Sequence, residues 1–313
     1  MSGGETVTDN AAWAAADARL SVLIPFFRDD PRPLLHALER EAAALAGRVE
    51  VVVLDDAGGD PARSRQAAQE AADSPLPVRL VALARNAGRA AGRNRLADAA
   101  RARHLLFIDA DMLPDRPDFL QAWLPLAEEA DVPAAFGGFS LEQATPGAEH
   151  RLHHAMQLGA ECLPAAVRAR QPAKHVFTSN LLVRRDVLAA EPFDESFVGW
   201  GWEDVEWGAR VAARFGVTHI DNPATHLGLD TAAALAAKYE QSPANFGRLL
   251  DRHPELVRAF ASYRAARLLS RLPARAPLRR GLKAVALAER APLRARTAAM
   301  RLYKAALYAE VVR

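Results

Sequence analysis

Four short apolar runs alternate with alanine-rich segments in the first third of the chain. The runs are rich in Val, Ile and Leu and cover residues 21–27, 50–54, 78–83 and 104–108. Near-continuous apolar runs of this length predict strands that are buried on both faces. The intervening segments have helical spacing and cover residues 33–46, 61–72 and 89–102. This alternation predicts an α/β fold in which helices flank a mostly parallel sheet.

Polar or turn-forming residues follow each predicted strand. The four strand ends read Pro25-Phe26-Phe27-Arg28, Asp55-Asp56, Asn86-Ala87-Gly88 and Asp109-Ala110-Asp111. Ligands of open α/β sheets bind outside the carboxyl ends of the strands. One aspartate after a strand is commonly a turn former or a helix cap. Two acidic pairs at separate strand ends instead indicate a site at this edge of the sheet.

Asp109 and Asp111 are one residue apart at a strand end, so the two-residue period of a strand points both carboxylates the same way. Oxygen ligands in a partly open site suit Mg²⁺ or Mn²⁺, which would bridge substrate phosphates. Because Asp-x-Asp also occurs by chance, the tripeptide gains its meaning from the other strand ends.

The segment 86–94 contains glycines where a loop becomes a helix, with Arg89 and Arg93 on one helical face. Backbone N–H groups and guanidinium groups arranged in this way can cradle a pyrophosphate. The segment matches neither a Walker loop nor a dinucleotide fingerprint. A glycine-containing helix start with solvated arginines is the alternative interpretation.

The second half contains a dense cluster of aromatic and acidic residues at 193–207. Its glycines predict an irregular loop, and Glu203-Asp204 is predicted to open a helix that runs through Arg214. A carboxylate at this junction, between tryptophans, can act as a general base beside a sugar. The alternative is a helix N-terminus whose aromatic residues fill the core.

Composition restricts the partners and the compartment. Half of the 313 residues are apolar, and Cys162 is the single cysteine, which favours a reducing compartment. The net charge of +2 combines +11 over residues 264–313 with −9 elsewhere. An acidic body argues against nucleic acid as a partner. With neither a signal sequence nor an apolar run of roughly 20 residues, we expect a cytoplasmic protein.

Together these residues resemble the inverting family 2 glycosyltransferases of the GT-A fold. The resemblance covers about residues 19–229, and the order of six motifs carries it: Ile24-Pro25-Phe26-Phe27, Val53-Leu54-Asp55-Asp56, Asn86-Ala87-Gly88 with Gly92-Arg93-Asn94, Asp109-Ala110-Asp111, Thr178-Ser179-Asn180 and Gly199-Trp200-Gly201-Trp202-Glu203-Asp204. The last motif is most similar to a branch with a Gly-Trp-Gly-x-Glu-Asp loop that includes galactosyl-transferring enzymes. The resemblance implies metal-dependent, inverting hexosyl transfer from a nucleotide sugar, with a UDP-sugar expected, to a carbohydrate or lipid-linked hydroxyl.

The resemblance also implies roles for individual residues. The nucleotide-binding residues would be Pro25, Phe27 and Asp56 at the nucleobase, Asn86 and Arg93 near the nucleotide, and Asp109 at the ribose. Asp111 and His226 would hold Mn²⁺ or Mg²⁺; His226 fits this place better than His219, which lies inside a predicted strand. In the acceptor half, Asp204 would be the base, Glu203 would bind sugar hydroxyls, and Trp200 and Trp202 would stack on a sugar.

The chain departs from the family pattern at three places. Phe26-Phe27-Arg28 replaces a small residue, Tyr and Asn, while Gly58-Gly59-Asp60 varies a Gly-Ser-x-Asp pattern. Trp202 stands where glycine is common, which affects the sugar pocket. There is no Gln-x-x-Arg-Trp motif, so the chain does not resemble a processive polysaccharide synthase.

We expect three parts along the chain. Residues 1–18 form a flexible N-terminus, residues 19–230 a GT-A domain with a nucleotide-binding half (19–115) and an acceptor-binding half (116–230), and residues 231–313 a helical basic C-terminal extension. Short helices in this extension would each have an apolar side and an Arg/Lys side. They would either dock peripherally on the inner face of an anionic membrane, or pack on the acidic body or mediate a homodimer.

Other functions are compatible with parts of the pattern. A nucleotidyltransferase also has a parallel sheet and acidic metal ligands, but normally carries a glycine-rich basic signature after the first strand. A non-catalytic sugar-binding module of the same fold is a second alternative. A zinc site at His150, His153 and His154 is a third, although the spacing also fits an exposed polar helix face.

Overall fold

The computed structural model describes residues 4–45, 47–128 and 132–312. Ala46, the last residue of the predicted helix 33–46, lies outside the described residues, as do the first three residues of the predicted flexible N-terminus.

Eleven strands are present in the described chain: β1 Glu5–Asp9, β2 Leu20–Phe26, β3 Val49–Asp55, β4 Val78–Leu83, β5 His104–Ile108, β6 Met112–Pro114, β7 Ala134–Phe136, β8 Phe139–Ser140, β9 Asn180–Arg184, β10 Thr218–His219 and β11 Ala224–His226. The described chain also contains fifteen α-helices: α1 Arg32–Glu39, α2 Ala42–Leu45, α3 Pro61–Asp73, α4 Arg89–Ala99, α5 Phe119–Glu128, α6 Arg151–Leu158, α7 Ala165–Arg168, α8 Arg185–Ala190, α9 Glu203–Arg214, α10 Ala232–Gln241, α11 Pro243–Arg252, α12 Pro254–Arg258, α13 Ala261–Leu269, α14 Arg275–Leu287 and α15 Leu293–Tyr308.

An eight-stranded sheet in the order β1-β4-β3-β2-β5-β9-β7-β10 forms the centre of the protein. Strands β4, β3, β2 and β5 are parallel, which confirms the predicted fold class, while β1 and β9 run antiparallel to their neighbours. Alternate residues of β2 point to opposite faces: Val22 and Ile24 join one buried cluster and Leu23 joins another. Helices therefore cover both faces of the sheet. A small sheet, β6-β11-β8, lies after β5 and carries His226 at its end.

The predicted helix 33–46 is interrupted between α1 and α2. Glu41, at the break, is buried, and its carboxylate accepts hydrogen bonds from the backbone N–H groups of Leu120 and Gln121 at 2.9 and 3.0 Å. These bonds satisfy free donors at the start of α5. The alanine-rich pattern cannot reveal the break, because the partner is 79 residues away along the chain.

From residue 4 onward the N-terminal segment packs on the sheet, whereas we expected residues 1–18 to be flexible. β1 pairs with β4 as an edge strand, and Trp13 is buried, with the guanidinium groups of Arg79 and Arg101 4.5 and 4.0 Å from its ring centre. The side chain of Asn10 also bonds to the backbone carbonyl of Leu76 and the N–H of Val78. Edge pairing, ring burial and a side-chain tether together account for the order.

The basic C-terminal extension packs on the second half of the domain. α15 contacts α6, α10, α11, α13 and α14, and its residues Met300, Tyr303 and Tyr308 belong to a buried cluster that also contains Val205 of α9. Lys283 pairs with Glu240 at 2.6 Å, and Arg279 pairs with Glu310. One face of these helices therefore packs on other helices, which is the arrangement that the packing interpretation describes. In the described chain no helix has the length and apolar character needed to cross a membrane.

Candidate active site

The carboxyl ends of β2, β3 and β5 meet the start of α4 at one cleft. The lining of this cleft includes six of the predicted site residues: Pro25, Phe27, Asp56, Arg93, Asp109 and Asp111. Gly58 allows the β2 and β3 ends to approach, because a Cβ there would lie 1.2 Å from the carbonyl oxygen of Phe27. Asp60, in the segment that departs from the family pattern, caps α3 by accepting from the N–H groups of Ala62 and Arg63.

Asp56 holds the loop that precedes α4. Its carboxylate accepts hydrogen bonds from the Asn86 amide at 2.7 Å and from the backbone N–H groups of Ala87 and Gly88 at 2.6 and 3.2 Å. Burial raises the pKa of Asp56, and the two backbone donors oppose that rise. Asn86 thus acts on the loop through Asp56, and it is absent from the cleft lining that contains the other nucleotide-binding candidates.

Arg93 links the two halves of the domain. It is buried, and its guanidinium donates to Asp109 at 3.0 Å and to Glu203 at 3.3 Å. Arg89 donates to the same Glu203 oxygen at 3.3 Å. Burial opposes ionisation of Glu203, but the two guanidinium groups outweigh it and lower the pKa of this carboxyl. Glu203 is therefore an ionised anchor between α4 and the start of α9.

Asp111 and His226 meet, as expected for a shared metal site. Asp111 Oδ2 lies 3.1 Å from His226 Nε2, and Gln157 Oε1 lies 3.1 Å from His226 Nδ1. Burial opposes the imidazolium, but the hydrogen bond to Asp111 outweighs it, so the pKa of His226 is raised. Burial likewise opposes ionisation of Asp111, and the bond to His226 lowers its pKa. Gly228 makes room, since a Cβ there would lie 2.0 Å from Asp111 Oδ2.

This pair fits a divalent cation. Two ligands at right angles, each about 2.1 Å from an ion, are about 3.0 Å apart, close to the observed separation. Gln157 Oε1 can only accept, so His226 Nδ1 donates to it and Nε2 faces Asp111, the arrangement that orients a metal-binding imidazole. A carboxylate and a neutral imidazole are both ligands of divalent cations.

The Gly-Trp-Gly-Trp segment is an irregular loop, as predicted, and α9 begins at Glu203. Gly199, Gly201 and Trp202 adopt positive φ angles of 81°, 89° and 78°. The left-handed conformation is costly for tryptophan, so packing must hold Trp202 in place. The turn brings Asp204 near Arg89, which feels the charges of Asp204, Asp109 and Asp111.

Asp204 differs electrostatically from its neighbour. It accepts a hydrogen bond from the Val205 N–H at 2.8 Å and forms no ion pair with the described cations. Burial and the charge of Glu203 raise the pKa of Asp204 to about 7. A carboxyl group with a pKa near neutrality is matched to proton transfer at physiological pH.

The two tryptophans of the loop have different surroundings. Trp202 stacks on Phe260 with ring centres 5.9 Å apart, and its Nε1–H donates to the Tyr308 hydroxyl at 3.0 Å. Trp200 lies against Tyr239, with ring centres 5.5 Å apart. Trp202 therefore anchors the loop to α15. The presence of tryptophan where the family pattern has glycine does not by itself predict this role.

Two charged residues near the site, Asp29 and Lys304, were missed from the sequence, whereas Arg89 had been weighed with Arg93 as part of a pyrophosphate cradle. Asp29 lines the cleft, and burial together with nearby Asp111 raises its pKa. Arg89 lines the cleft beside Arg93, and Lys304 of α15 approaches the tryptophan loop. A strand-end position signals Asp29, and the helical face shared with Arg93 signals Arg89. No local pattern signals Lys304.

The three histidines weighed as a zinc site do not form one cluster. His153 Nδ1 accepts from the Asp230 N–H at 2.8 Å, and burial lowers the pKa of His153 to about 4. His150 lies 3.5 Å from Glu149. Within the described ranges, the ligand-type groups that meet in threes are His36, Glu39 and Glu70, on α1 and α3.

Comparison with known proteins identifies the family. The family model described as glycosyl transferase family 2 matches residues 21–190, more than half of the chain. The chain belongs to glycosyl transferase family 2. A search of curated proteins finds no match. The family match ends before the Gly-Trp-Gly-Trp loop, so it does not test our interpretation of this loop, which depends on the loop's geometry.

Solved structures of this glycosyltransferase fold resemble the chain at low sequence identity. A mannosyltransferase from Pyrobaculum calidifontis, solved with GDP-Man and Mn²⁺, has a TM-score of 0.56 and 19% identity over 93% of this chain and 87% of that one. TarS from S. aureus has a TM-score of 0.52 and 13% identity over 85% of this chain and 48% of that one. These likenesses confirm the fold.

Proposed function

We propose that this family 2 glycosyltransferase transfers a hexosyl group from a nucleotide diphosphate sugar to an acceptor hydroxyl by single displacement with inversion. The observation that carries the proposal is Asp204, a carboxylate without an ion pair whose pKa is about 7, beside a cleft with Asp109, Asp111 and two arginines. The resemblance to galactosyl-transferring enzymes, through the Gly-Trp-Gly-x-Glu-Asp loop, favours a UDP-sugar.

The residues divide the reaction between them. The Asp204 carboxylate accepts the acceptor's hydroxyl proton while that oxygen attacks the anomeric carbon. The bond from this carbon to the diphosphate breaks, and the nucleoside diphosphate leaves with the electron pair. The Arg89 side chain, 44% exposed, is available to the diphosphate, and Arg93 lines the same cleft. These donors stabilise the developing charge.

Asp111 and His226 would hold a divalent cation, Mn²⁺ or Mg²⁺. When bound, such an ion supplies positive charge that favours departure of the diphosphate. The fold neighbour from Pyrobaculum calidifontis was solved with Mn²⁺ and GDP-Man, which supports testing Mn²⁺ first and including guanosine donors.

Nucleobase and ribose contacts are proposed at the other end of the cleft. Pro25, Phe27 and Asp56 would hold the base, and Asp109 would hold the ribose. All four residues line the cleft. Phe27 is 38% exposed, and its ring carries the Arg28 guanidinium 4.9 Å from its centre. An exposed aromatic ring at this strand end is suited to stacking on a base.

Product analysis tests the proposal. The protein is incubated with Mn²⁺ and a panel of UDP-, GDP- and dTDP-sugars, and nucleoside diphosphate and pyrophosphate are measured separately. Release of nucleoside diphosphate, with an inverted anomer in the transferred product, supports the proposal. Release of pyrophosphate would instead indicate a nucleotidyltransferase, and metal-dependent binding without turnover a non-catalytic module.

We also propose peripheral membrane contact through the outer face of the C-terminal helices. Leu268, Leu272 and Leu302 are 66%, 44% and 43% exposed, and Arg267 and Arg271 are exposed beside them. Each cation near an anionic surface contributes about 1 kcal/mol. Salt-sensitive sedimentation with anionic but not neutral vesicles, lost in Leu268→Ser with Arg267→Ser and Arg271→Ser, supports this contact. Indifference to both vesicle types would leave packing or a homodimer contact.

A further inference from the structure

The C-terminal extension places a lysine among aromatic rings beside the catalytic loop. Lys304 Nζ lies 4.7 Å from the ring centre of Tyr239, 5.2 Å from that of Trp202, 5.7 Å from that of Trp200 and 5.9 Å from that of Tyr308. Trp200 and Trp202 belong to the loop that leads into Asp204. α15 thus presents an ammonium group on the acceptor side of the site.

Lys304 is unlike the other two lysines of this extension. Lys238 and Lys283 each form an ion pair at 2.6 Å, with Asp230 and Glu240. No carboxylate of residues 4–45, 47–128 and 132–312 lies within 4.0 Å of Lys304 Nζ, whose charge faces aromatic rings instead. Cation–π contacts stabilise an ammonium group without neutralising its charge, so it remains able to attract an anion.

The surroundings keep Lys304 charged. Burial opposes the ammonium form, but Tyr308, Tyr239 and Glu161 outweigh it, and the pKa of Lys304 is raised. Burial also raises the pKa of Glu161, which weakens that carboxyl as a permanent counter-ion. Glu161 lies where it feels the charges of both Lys304 and His226. A charged amine without a close counter-ion in this position is suited to an anionic ligand group.

We infer that Lys304, with the rings of Trp200 and Tyr239, forms an acceptor subsite that recognises a phosphate ester carried close to the hydroxyl that receives the sugar. The inference rests on the proposed function and defines its acceptor class. The partly exposed Trp200 ring would pack on the apolar or sugar part of the acceptor, while the buried Tyr239 ring would hold Lys304, which would pair with the acceptor's phosphate. The phosphate ester belongs either to a soluble metabolite or to a lipid.

Calorimetry with phosphate and neutral probes tests the inference. The protein is first saturated with UDP and Mn²⁺, so that the donor phosphate sites are filled. It is then titrated with phenyl phosphate or benzyl alcohol as soluble probes, and with 1-oleoyl lysophosphatidate or monoolein in neutral micelles as lipid probes. We expect at least one phosphate probe to bind about tenfold or more tightly than its neutral partner, with an affinity that falls as salt increases. The favoured phosphate distinguishes a soluble from a lipid source.

Matched variants assign the effect to Lys304. Lys304→Met keeps the stem against the rings and should remove the preference for phosphate, whereas Lys304→Arg should retain most of it. Lys283→Met, at an ion-paired lysine of the same extension, is the control. Equal binding of phosphate and neutral probes to the unaltered protein would overturn the inference. An undiminished phosphate preference in a folded Lys304→Met protein would also overturn it.

Donor turnover keeps this inference separate from the proposed function. Release of nucleoside diphosphate by the unaltered protein reports glycosyl transfer or donor hydrolysis without reference to phosphate probes. Turnover without phosphate preference would leave the enzyme assignment and remove the acceptor class. Phosphate preference at Lys304 without turnover would leave an anion site and remove the enzyme mechanism.

Discussion

The two ends of the cleft differ in how their buried charges are satisfied. At the nucleotide end, Asp56 receives three hydrogen bonds from the 86–88 loop, and Arg93 is held between Asp109 and Glu203. At the acceptor end, Asp204 receives one bond, from the N–H of the next residue. Burial raises the pKa of both carboxyls, but backbone donors oppose the rise at Asp56, whereas the charge of Glu203 adds to it at Asp204 and brings its pKa to about 7. We therefore expect changes at the two ends to have different kinetic signatures.

The largest effect is expected for Asp111→Ala, which removes the carboxylate that faces His226. Losing several kcal/mol of charge stabilisation corresponds to roughly a thousandfold slower turnover, with no remaining response to Mn²⁺. Initial rates are measured against metal concentration. Asp118→Ala, at an exposed aspartate paired with Arg116, is the control. Full, metal-dependent activity in Asp111→Ala would show that the Asp-x-Asp interpretation is wrong.

Asp204→Asn should lose roughly a hundredfold or more in turnover, because an amide cannot accept the acceptor proton. Donor affinity should stay near normal, since Asp204 does not bind the nucleotide in our account. Single-turnover rates and donor titrations measure the two quantities. The adjacent Glu203 provides the matched comparison at the same helix start.

Glu203→Gln should act mainly on stability, because it leaves buried Arg93 with only one of its two anionic partners, Asp109. Breaking such a buried pair costs on the order of 3 kcal/mol, which chemical denaturation measures. If a stable Glu203→Gln protein were inactive and Asp204→Asn active, the roles of the two residues would be transposed.

Asp56→Asn should weaken donor binding about tenfold with a smaller change in turnover. The amide cannot accept as strongly from the Ala87 and Gly88 N–H groups, so the loop before α4 loses about 1.5 kcal/mol of support. Calorimetry with UDP measures the change, and Asp60→Asn, at the cap of α3, is the control. Unchanged donor affinity would contradict a prebuilt nucleotide end.

The smallest effects are expected at the two tryptophans, where one substitution should change stability and the other should change the acceptor KM. Trp202→Phe loses the hydrogen bond to Tyr308 and should lower the free energy of unfolding by about 1 kcal/mol without changing the acceptor KM. Trp200→Phe should raise the acceptor KM a few-fold and leave stability near that of the unaltered protein. The reverse pattern would exchange their roles.

The sequence predicts the nucleotide half well because its signals are local. β4 and β5 have the predicted bounds. Apolar runs and the strand ends that follow them are readable without knowledge of distant contacts. The meeting of Asp111 with His226 followed from a family resemblance, since 115 residues separate them.

The acceptor half is harder to predict because distant segments build it. Trp202 was expected to stack on a sugar, yet its ring packs on Phe260 and bonds to Tyr308, 106 residues away. Lys304 lies near the site because α15 packs beside it. The pattern of α15 predicts an amphipathic helix but does not predict which elements the helix packs against. The order of residues 5–9 likewise depends on pairing with β4. Tertiary contacts of this kind leave no periodic signal.

The pH dependence of kcat/KM shows whether Asp204 acts as a base whose pKa burial and Glu203 raise to about 7. Protonated Asp204 cannot accept a proton, so the active form accumulates as pH rises. We predict that kcat/KM increases about tenfold per pH unit below about 7 and is constant above it. The residual kcat/KM of Asp204→Asn should show no such inflection. The same inflection in Asp204→Asn, or a flat profile through neutrality in the unaltered protein, would contradict this prediction.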